Sequence, residues 1–188
     1  MGNSRRFFFL VAASIGTITA VYLSYRLLKK RQRSIAIAMD IEVINGAKSF
    51  SSLLDASKAF TLLYFAASWC PDCVQFGPSL AKFMEQIDLS KQVQVVLVSS
   101  DRDEEAMMAH LKSFPGMLAV GYNDPARQEL KRELGICAAK EVGELQVTRK
   151  GGIPTVIVLN KDFCRVTDAG AQDIEQLGAS AVSKWNQI

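Results

Sequence analysis

The sequence predicts an α/β sandwich around a central sheet, set behind an apolar amino-terminal segment. Two observations carry the sandwich. Apolar runs of strand length alternate with stretches whose apolar residues recur at helical spacing, and the carboxyl-terminal 150 or so residues suffice for one domain with its own core. A third observation separates the two parts. The 188 residues hold 22 Lys plus Arg against 19 Asp plus Glu, a net charge of +3 and a pI of about 8.7. Seven of those basic groups (Arg5, Arg6, Arg26, Lys29, Lys30, Arg31 and Arg33) precede residue 35, and the first acid is Asp40. The remainder keeps 15 basic and all 19 acidic groups, a net of −4. An acidic body argues against a globular nucleic-acid binder, which needs a basic face. A hydrophobic content of 49% excludes global disorder, and four cysteines are too few for a disulfide-built scaffold.

Residues 7–25 (FFFLVAASIGTITAVYLSY) are uncharged throughout. As a helix they would span about 28 Å, close to the hydrocarbon thickness of a bilayer. Tyr22 and Tyr25 suit the interface at one end. A cleaved signal peptide fits less well, because Ile18 and Tyr22 occupy positions before the candidate cuts that want small residues. A soluble core helix would carry a polar stripe, and only scattered Ser and Thr occur. Myristoylation at Gly2 is disfavoured by Arg6, where the pattern wants Ser or Thr. The expectation is a retained anchor in residues 1–34, with a transmembrane helix over about 7–28, and a domain at 35–188. The heavier positive flank follows the span, so the domain is expected to face the cytosol. Reticulum and outer mitochondrial membranes fit equally.

Within the domain, 59–66 (AFTLLYFA) reads as a buried strand and 74–87 as a helix carrying Phe76, Leu80, Phe83, Met84 and Ile87 on one face, with Pro78 bending it. Residues 93–98 (VQVVLV) form a second strand, 104–113 a helix and 118–120 a short strand. Asn123 or Asp124 caps a helix that opens at Pro125 and closes at Gly135. Residues 136–152 read as a loop, 155–159 (TVIVL) as a third core strand, 165–167 as its edge partner and 171–185 as a final helix. His110 reads as a surface residue, and the acidic run from Asp101 to Glu105 as a helix start.

The chemistry concentrates in Trp69-Cys70-Pro71-Asp72-Cys73. A C-x-x-C alone is also half a zinc site, but Cys137, Cys164 and His110 are isolated and no second pair exists, so no metal is expected. Placement favours redox chemistry. The pair falls where a buried strand hands over to a helix, so free N–H groups and the helix dipole favour a thiolate at Cys70. Cys70 is expected to be exposed and to attack a substrate disulfide. Cys73, one turn inward, is expected to resolve the mixed disulfide. Pro71 fits the first helical turn. Asp72 places a negative charge beside the pair and is expected to raise the Cys70 pKa and make the pair more reducing. Before the last core strand stands Gly152-Ile153-Pro154-Thr155. A proline entering a central strand is unusual. As a cis-proline it would leave the Ile153 backbone free to pair with an extended substrate; a simple strand-start proline is the other reading.

With these motifs quoted, the sequence resembles the thioredoxin superfamily. Tyr64-Phe65, Ser68 to Pro71, Val98-Ser99-Ser100-Asp101, Phe114 to Val120, and 168–185 (DAGAQDIEQLGASAVSKW) look like its tryparedoxin–nucleoredoxin branch. The resemblance covers about residues 40–187. It implies a thioredoxin-like three-layer α/β/α sandwich with a mixed central sheet, catalysis by Cys70 and Cys73, substrate contacts from Trp69, Pro71, Ile153 and Pro154, and modulation by Asp72 and by Tyr64, which stands where thioredoxins proper carry a buried Asp. Three departures stand out: Asp72 replaces a second proline, Ser100 replaces a frequent Trp, and the 136–152 connection is longer than usual. Without the buried Asp, the Cys73 proton needs another route, water or Glu85.

The implied function is that of a membrane-anchored thiol–disulfide oxidoreductase that reduces protein disulfides. It needs no bound cofactor and draws electrons from an upstream reductase or a low-molecular-weight thiol. The alternative is a redox-sensitive binding module with little turnover. A peroxidase is disfavoured, because no T-x-x-C site occurs. Cys137 reads as a small loop residue or a third redox thiol, and Cys164 as structural.

Overall fold

The computed structural model describes residues 54–89 and 92–188. The expected anchor over 7–28 lies outside them, and among the described residues no helix is long and apolar enough to cross a membrane. Five strands form one sheet: β1 (Phe60–Ala66), β2 (Val93–Ser99), β3 (Leu118–Ala119), β4 (Thr155–Asn160) and β5 (Arg165–Thr167), in the order β3-β2-β1-β4-β5. β2 runs parallel to both β1 and β3, whereas β4 runs antiparallel to β1 and β5. The sheet is therefore mixed.

Side chains of a strand alternate between faces, and both faces of this sheet are covered. Leu62, Tyr64, Val95, Leu97, Val156 and Val158 belong to one apolar cluster. α1 (Pro71–Gln86), α2 (Glu104–Lys112), α5 (Gly170–Leu177) and α6 (Ala181–Trp185) pack into it through Phe76, Phe83, Met107, Ile174 and Trp185. Leu63, Phe65, Val96, Val98, Ile157 and Leu159 face the other way and meet Ala126, Leu130 and Leu134 of α3 (Pro125–Leu134). That double covering explains why β1, β2 and β4 read as unbroken apolar runs.

Helix ends follow the expected chemistry. Asp103 caps α2 by accepting from the Ala106 N–H at 2.8 Å, and Asp124, not Asn123, caps α3 from Ala126 at 2.8 Å. Gly135 closes α3 at φ 69°. Two elements differ from expectation. The last helix is broken: Gly178, at φ 54°, ends α5, and a 3-10 turn (Gly178–Ser180) leads into α6. Buried Asp173 joins the two pieces by accepting from Lys184 Nζ at 2.6 Å and Trp185 Nε1 at 2.8 Å. The 136–152 segment is not bare loop. It contains a 3-10 turn (Ala139–Glu141) and one helical turn, α4 (Val142–Leu145).

The register brings three chain segments to one edge of the sheet. Ala66 at the end of β1 pairs with Ser99 at the end of β2, and Phe65 pairs with Thr155 at the start of β4. The residues that follow Ala66 and Ser99, and those that precede Thr155, must therefore meet there.

Candidate active site

Cys70 sits at the N-cap of α1 with extended backbone (φ −84°, ψ 120°), and Pro71 takes the first helical position, where no N–H is needed. The Ala67 carbonyl accepts from the Cys70 N–H at 3.2 Å, and the Cys70 carbonyl accepts from Val74 at 3.0 Å. This fixes both thiols at the mouth of the helix. Cys70 is 6% exposed and Cys73 3%, and both are free thiols. The expected exposure of Cys70 is corrected here: half-buried Trp69 and Ile153 pack at the same end of the core, so its thiol is recessed and donates to the Ile153 carbonyl at 3.6 Å. Exposure belongs instead to Pro71, Asp72 and Val74, the last an apolar side chain 62% exposed that the motif gave no reason to single out.

The Ile153–Pro154 bond is cis, as expected. β4 registers with β1 only from Thr155 onward, so Ile153 lies outside the ladder beside Cys70. Burial pushes the Cys73 thiol well above the ordinary range. The Ala67 backbone N–H works against that shift, while Cys70 and the Asp72 charge add to it. The Asp72 charge therefore acts on the Cys73 thiol.

Tyr64 stands behind the pair, its ring against Phe76, His110 and Phe114 at centroid distances of 5.8, 6.2 and 6.4 Å. Burial raises its hydroxyl far above the normal phenol range, helped by Cys73, Cys70 and Asp101. That hydroxyl has no hydrogen-bond partner among the described residues. It is no base at neutral pH. Nor does Glu85 serve: it is exposed on α1, 12 residues beyond Cys73, roughly 18 Å along the helix. Of the expected routes for the Cys73 proton, water is left.

A buried polar cluster supports the loop before Cys70. Asp101 Oδ1 accepts from the Ser68 N–H at 2.7 Å and from its hydroxyl at 2.8 Å. Asp101 Oδ2 accepts from the Ser99 hydroxyl at 2.8 Å and lies 3.2 Å from His110 Nδ1. Burial opposes ionisation of this carboxyl, but the bonds from His110, Ser68 and Ser99 outweigh it and hold the pKa at about 2. Both residues therefore depart from expectation. Asp101 is not part of a helix start, and His110 is 9% exposed. A sequence signal for His110 existed: it shares a helical face with Met107 and Leu111, both buried.

The 136–152 segment closes over the other side of the site. Trp69 Nε1 donates to the Ser100 carbonyl at 2.9 Å, and Lys140 Nζ sits 4.0 Å over the Trp69 ring centre. Where the branch carries a Trp, the Ser100 hydroxyl donates to Glu141 at 2.7 Å. Cys137 is fully buried, and burial raises its thiol with Glu141 adding; Cys164 is half-buried in the turn before β5. Among the described residues no three His, Cys, Asp or Glu side chains converge as metal ligands.

Comparison with known proteins agrees with this geometry. The family model described as thioredoxin-like matches residues 59–163. Tryparedoxin of Trypanosoma brucei brucei is 32% identical over 119 residues, covering 63% of this chain and 70% of that protein. Nucleoredoxin of Xenopus laevis is 33% identical over 132 residues, covering 69% of this chain and 28% of that protein. The chain thus spans about a quarter of the length of the nucleoredoxins it matches. The solved structure of tryparedoxin from Trypanosoma brucei superposes with a TM-score of 0.58 at 28% identity, covering 79% of this chain and 92% of that one.

Proposed function

Since the chain belongs to the thioredoxin-like family, in its nucleoredoxin and tryparedoxin branch, we propose that it is a membrane-anchored, cytosol-facing oxidoreductase that reduces protein disulfides through Cys70 and Cys73. The observation that carries the reading is the contact between the Cys70 thiol and the Ile153 carbonyl, 3.6 Å, on a strand entry outside the sheet ladder. An extended substrate laid along Ile153 and Pro154 brings its disulfide to Cys70.

The Cys70 thiolate attacks one substrate sulfur. A Cys70–substrate disulfide forms, and the other substrate sulfur leaves as a thiolate that takes a proton from water. Cys73 then gives its proton to water and attacks Cys70. The second substrate sulfur departs and is protonated, and the protein holds a Cys70–Cys73 disulfide. Two electrons have passed to the substrate. An upstream dithiol reductase or two low-molecular-weight thiols return them. Cys73 is protonated until it is needed, because its burial disfavours the thiolate, so the mixed disulfide forms at Cys70 alone. Trp69, Pro71 and Pro154 shape the contact surface, and Asp72 tunes the pair by opposing charge on Cys73. The anchor rests on the uncharged 7–25 run and its basic flanks.

The test is insulin-disulfide reduction by the full chain in detergent. Wild type is expected to turn over, and Cys70→Ser to abolish turnover. Cys73→Ser is expected to trap substrate as a mixed disulfide visible on a non-reducing gel. No activity in wild type, with partner binding that survives loss of both cysteines, would favour a binding module.

A further inference from the structure

Residues 136–152 are held shut at their neck. Ile136 bridges Gly151, and the Gly135 carbonyl accepts from Lys150 at 2.7 Å and Gly151 at 3.1 Å. Inside, Lys131 of α3 is 0% exposed and donates to Glu141 at 2.6 Å, while Glu141 also accepts from Ala138 N–H at 2.9 Å and Ser100. The 3-10 turn beside Glu141 is thus fixed against the site, and so is the direction of its neighbour Lys140.

Two exposed cations of this segment border the recessed thiol. Lys140 lies over Trp69, the residue before Cys70. Arg149 donates from Nε to the Cys137 carbonyl at 3.1 Å, and its guanidinium covers Gly152, the residue before Ile153: a Cβ built there would come within 2.3 Å of Nη2. Neither cation pairs with a carboxylate among the described residues. Of the nearby acids, Glu141 is taken by Lys131 and Glu144 accepts from Gln128, while exposed Asp72 acts on Cys73 at the start of α1. A net charge of −4 over residues 35–188 makes two unpaired cations at this one place a local feature. Charges at the edge of a contact surface act mainly on partner choice and on association rate.

We propose that Lys140 and Arg149 form a cationic rim that selects protein disulfides lying in acidic extended segments, with carboxylates on both sides of the half-cystine that Cys70 attacks. Lys140 marks the Trp69 end of the contact and Arg149 the Gly152 end, so one carboxylate meets each cation while the backbone between them passes Ile153. This inference rests on the reductase reading above.

The test uses the full chain in detergent with two disulfide-linked peptides of equal length, one with Glu on both sides of the cysteine and one with Gln. Wild type is expected to prefer the acidic peptide by about tenfold in kcat/KM at low salt, a preference that shrinks as salt screens the rim. Lys140→Gln with Arg149→Gln is expected to bring the ratio to about one, and Lys140→Arg with Arg149→Lys to retain it. An equal rate on both peptides in wild type, or a ratio unchanged in the Gln variant, overturns the rim. Failure of wild type to reduce either peptide overturns the reductase reading instead.

Discussion

Asp101 shows how a single residue can be decisive at a site and still be silent in a motif. Its two oxygens hold the Ser68 end of the Cys70 loop, the last residue of β2 and His110 of α2. The sequence places it beside Asp103, Glu104 and Glu105, and only the fold separates a buried carboxylate from a helix cap. Cys70, Cys73 and Pro154 were legible because their chemistry depends on short spacing, whereas the Asp101–His110 contact depends on two elements packing. The carboxyl is held at about 2 in the folded protein, against roughly 4 when unfolded. Because the folded pKa is the lower one, its contribution to stability is complete above pH 4 and is lost as pH falls from about 4 towards 2. Urea midpoints measured across that interval are expected to fall in wild type. Asp101→Asn is expected to be less stable at neutral pH and to have a flatter acid limb.

Among the elements, the 136–152 segment carries the clearest division between what spacing and packing reveal. Its unusual length could be read against the family that the sequence resembles. Its internal turns could not, because they are organised by a buried ion pair whose members lie 10 residues apart on different elements. Burial draws the Lys131 ammonium down and Glu141 draws it back up; burial likewise opposes the Glu141 charge, and Lys131, with the bonds from Ser100 and Ala138, outweighs it. Glu141→Ala leaves that ammonium buried and uncompensated, a loss of about 3–5 kcal/mol, read as a lowered urea midpoint. Replacing both residues together, Lys131→Met with Glu141→Gln, is expected to recover most of it. The final helix is a smaller case. Apolar spacing runs through 171–185 without signalling a break, since a glycine inside a helical pattern is read as tolerated, and only its φ of 54° marks the end of α5.

At the scale of the whole molecule, the α/β alternation was readable because unbroken apolar runs require cover on both faces of a sheet. The parallel and antiparallel pairings were not readable from periodicity, yet they decide that Ala66, Ser99 and Thr155 end at one edge. The amino-terminal segment enters at this scale through its charge split. On the proposed anchoring, the full chain is expected to remain with membranes after alkaline carbonate extraction and a chain beginning at residue 35 to be released. Protease added to intact organelles is expected to remove the redox domain, and protection from it would reverse the proposed orientation.

The closed neck at Ile136 and Gly151 has a consequence for how such a protein can diversify. On the proposed function a client docks on Ile153 through its own backbone, which every amino acid supplies, so the reacting centre itself reads little of its client's identity. On the proposed rim, discrimination falls to a segment pinned at both ends within one short bridge. Such a segment is an exchangeable cartridge. Lengthening, shortening or recharging it leaves the strand register and the dithiol where they are, so client range can drift between relatives while the electron-transfer machinery stays put.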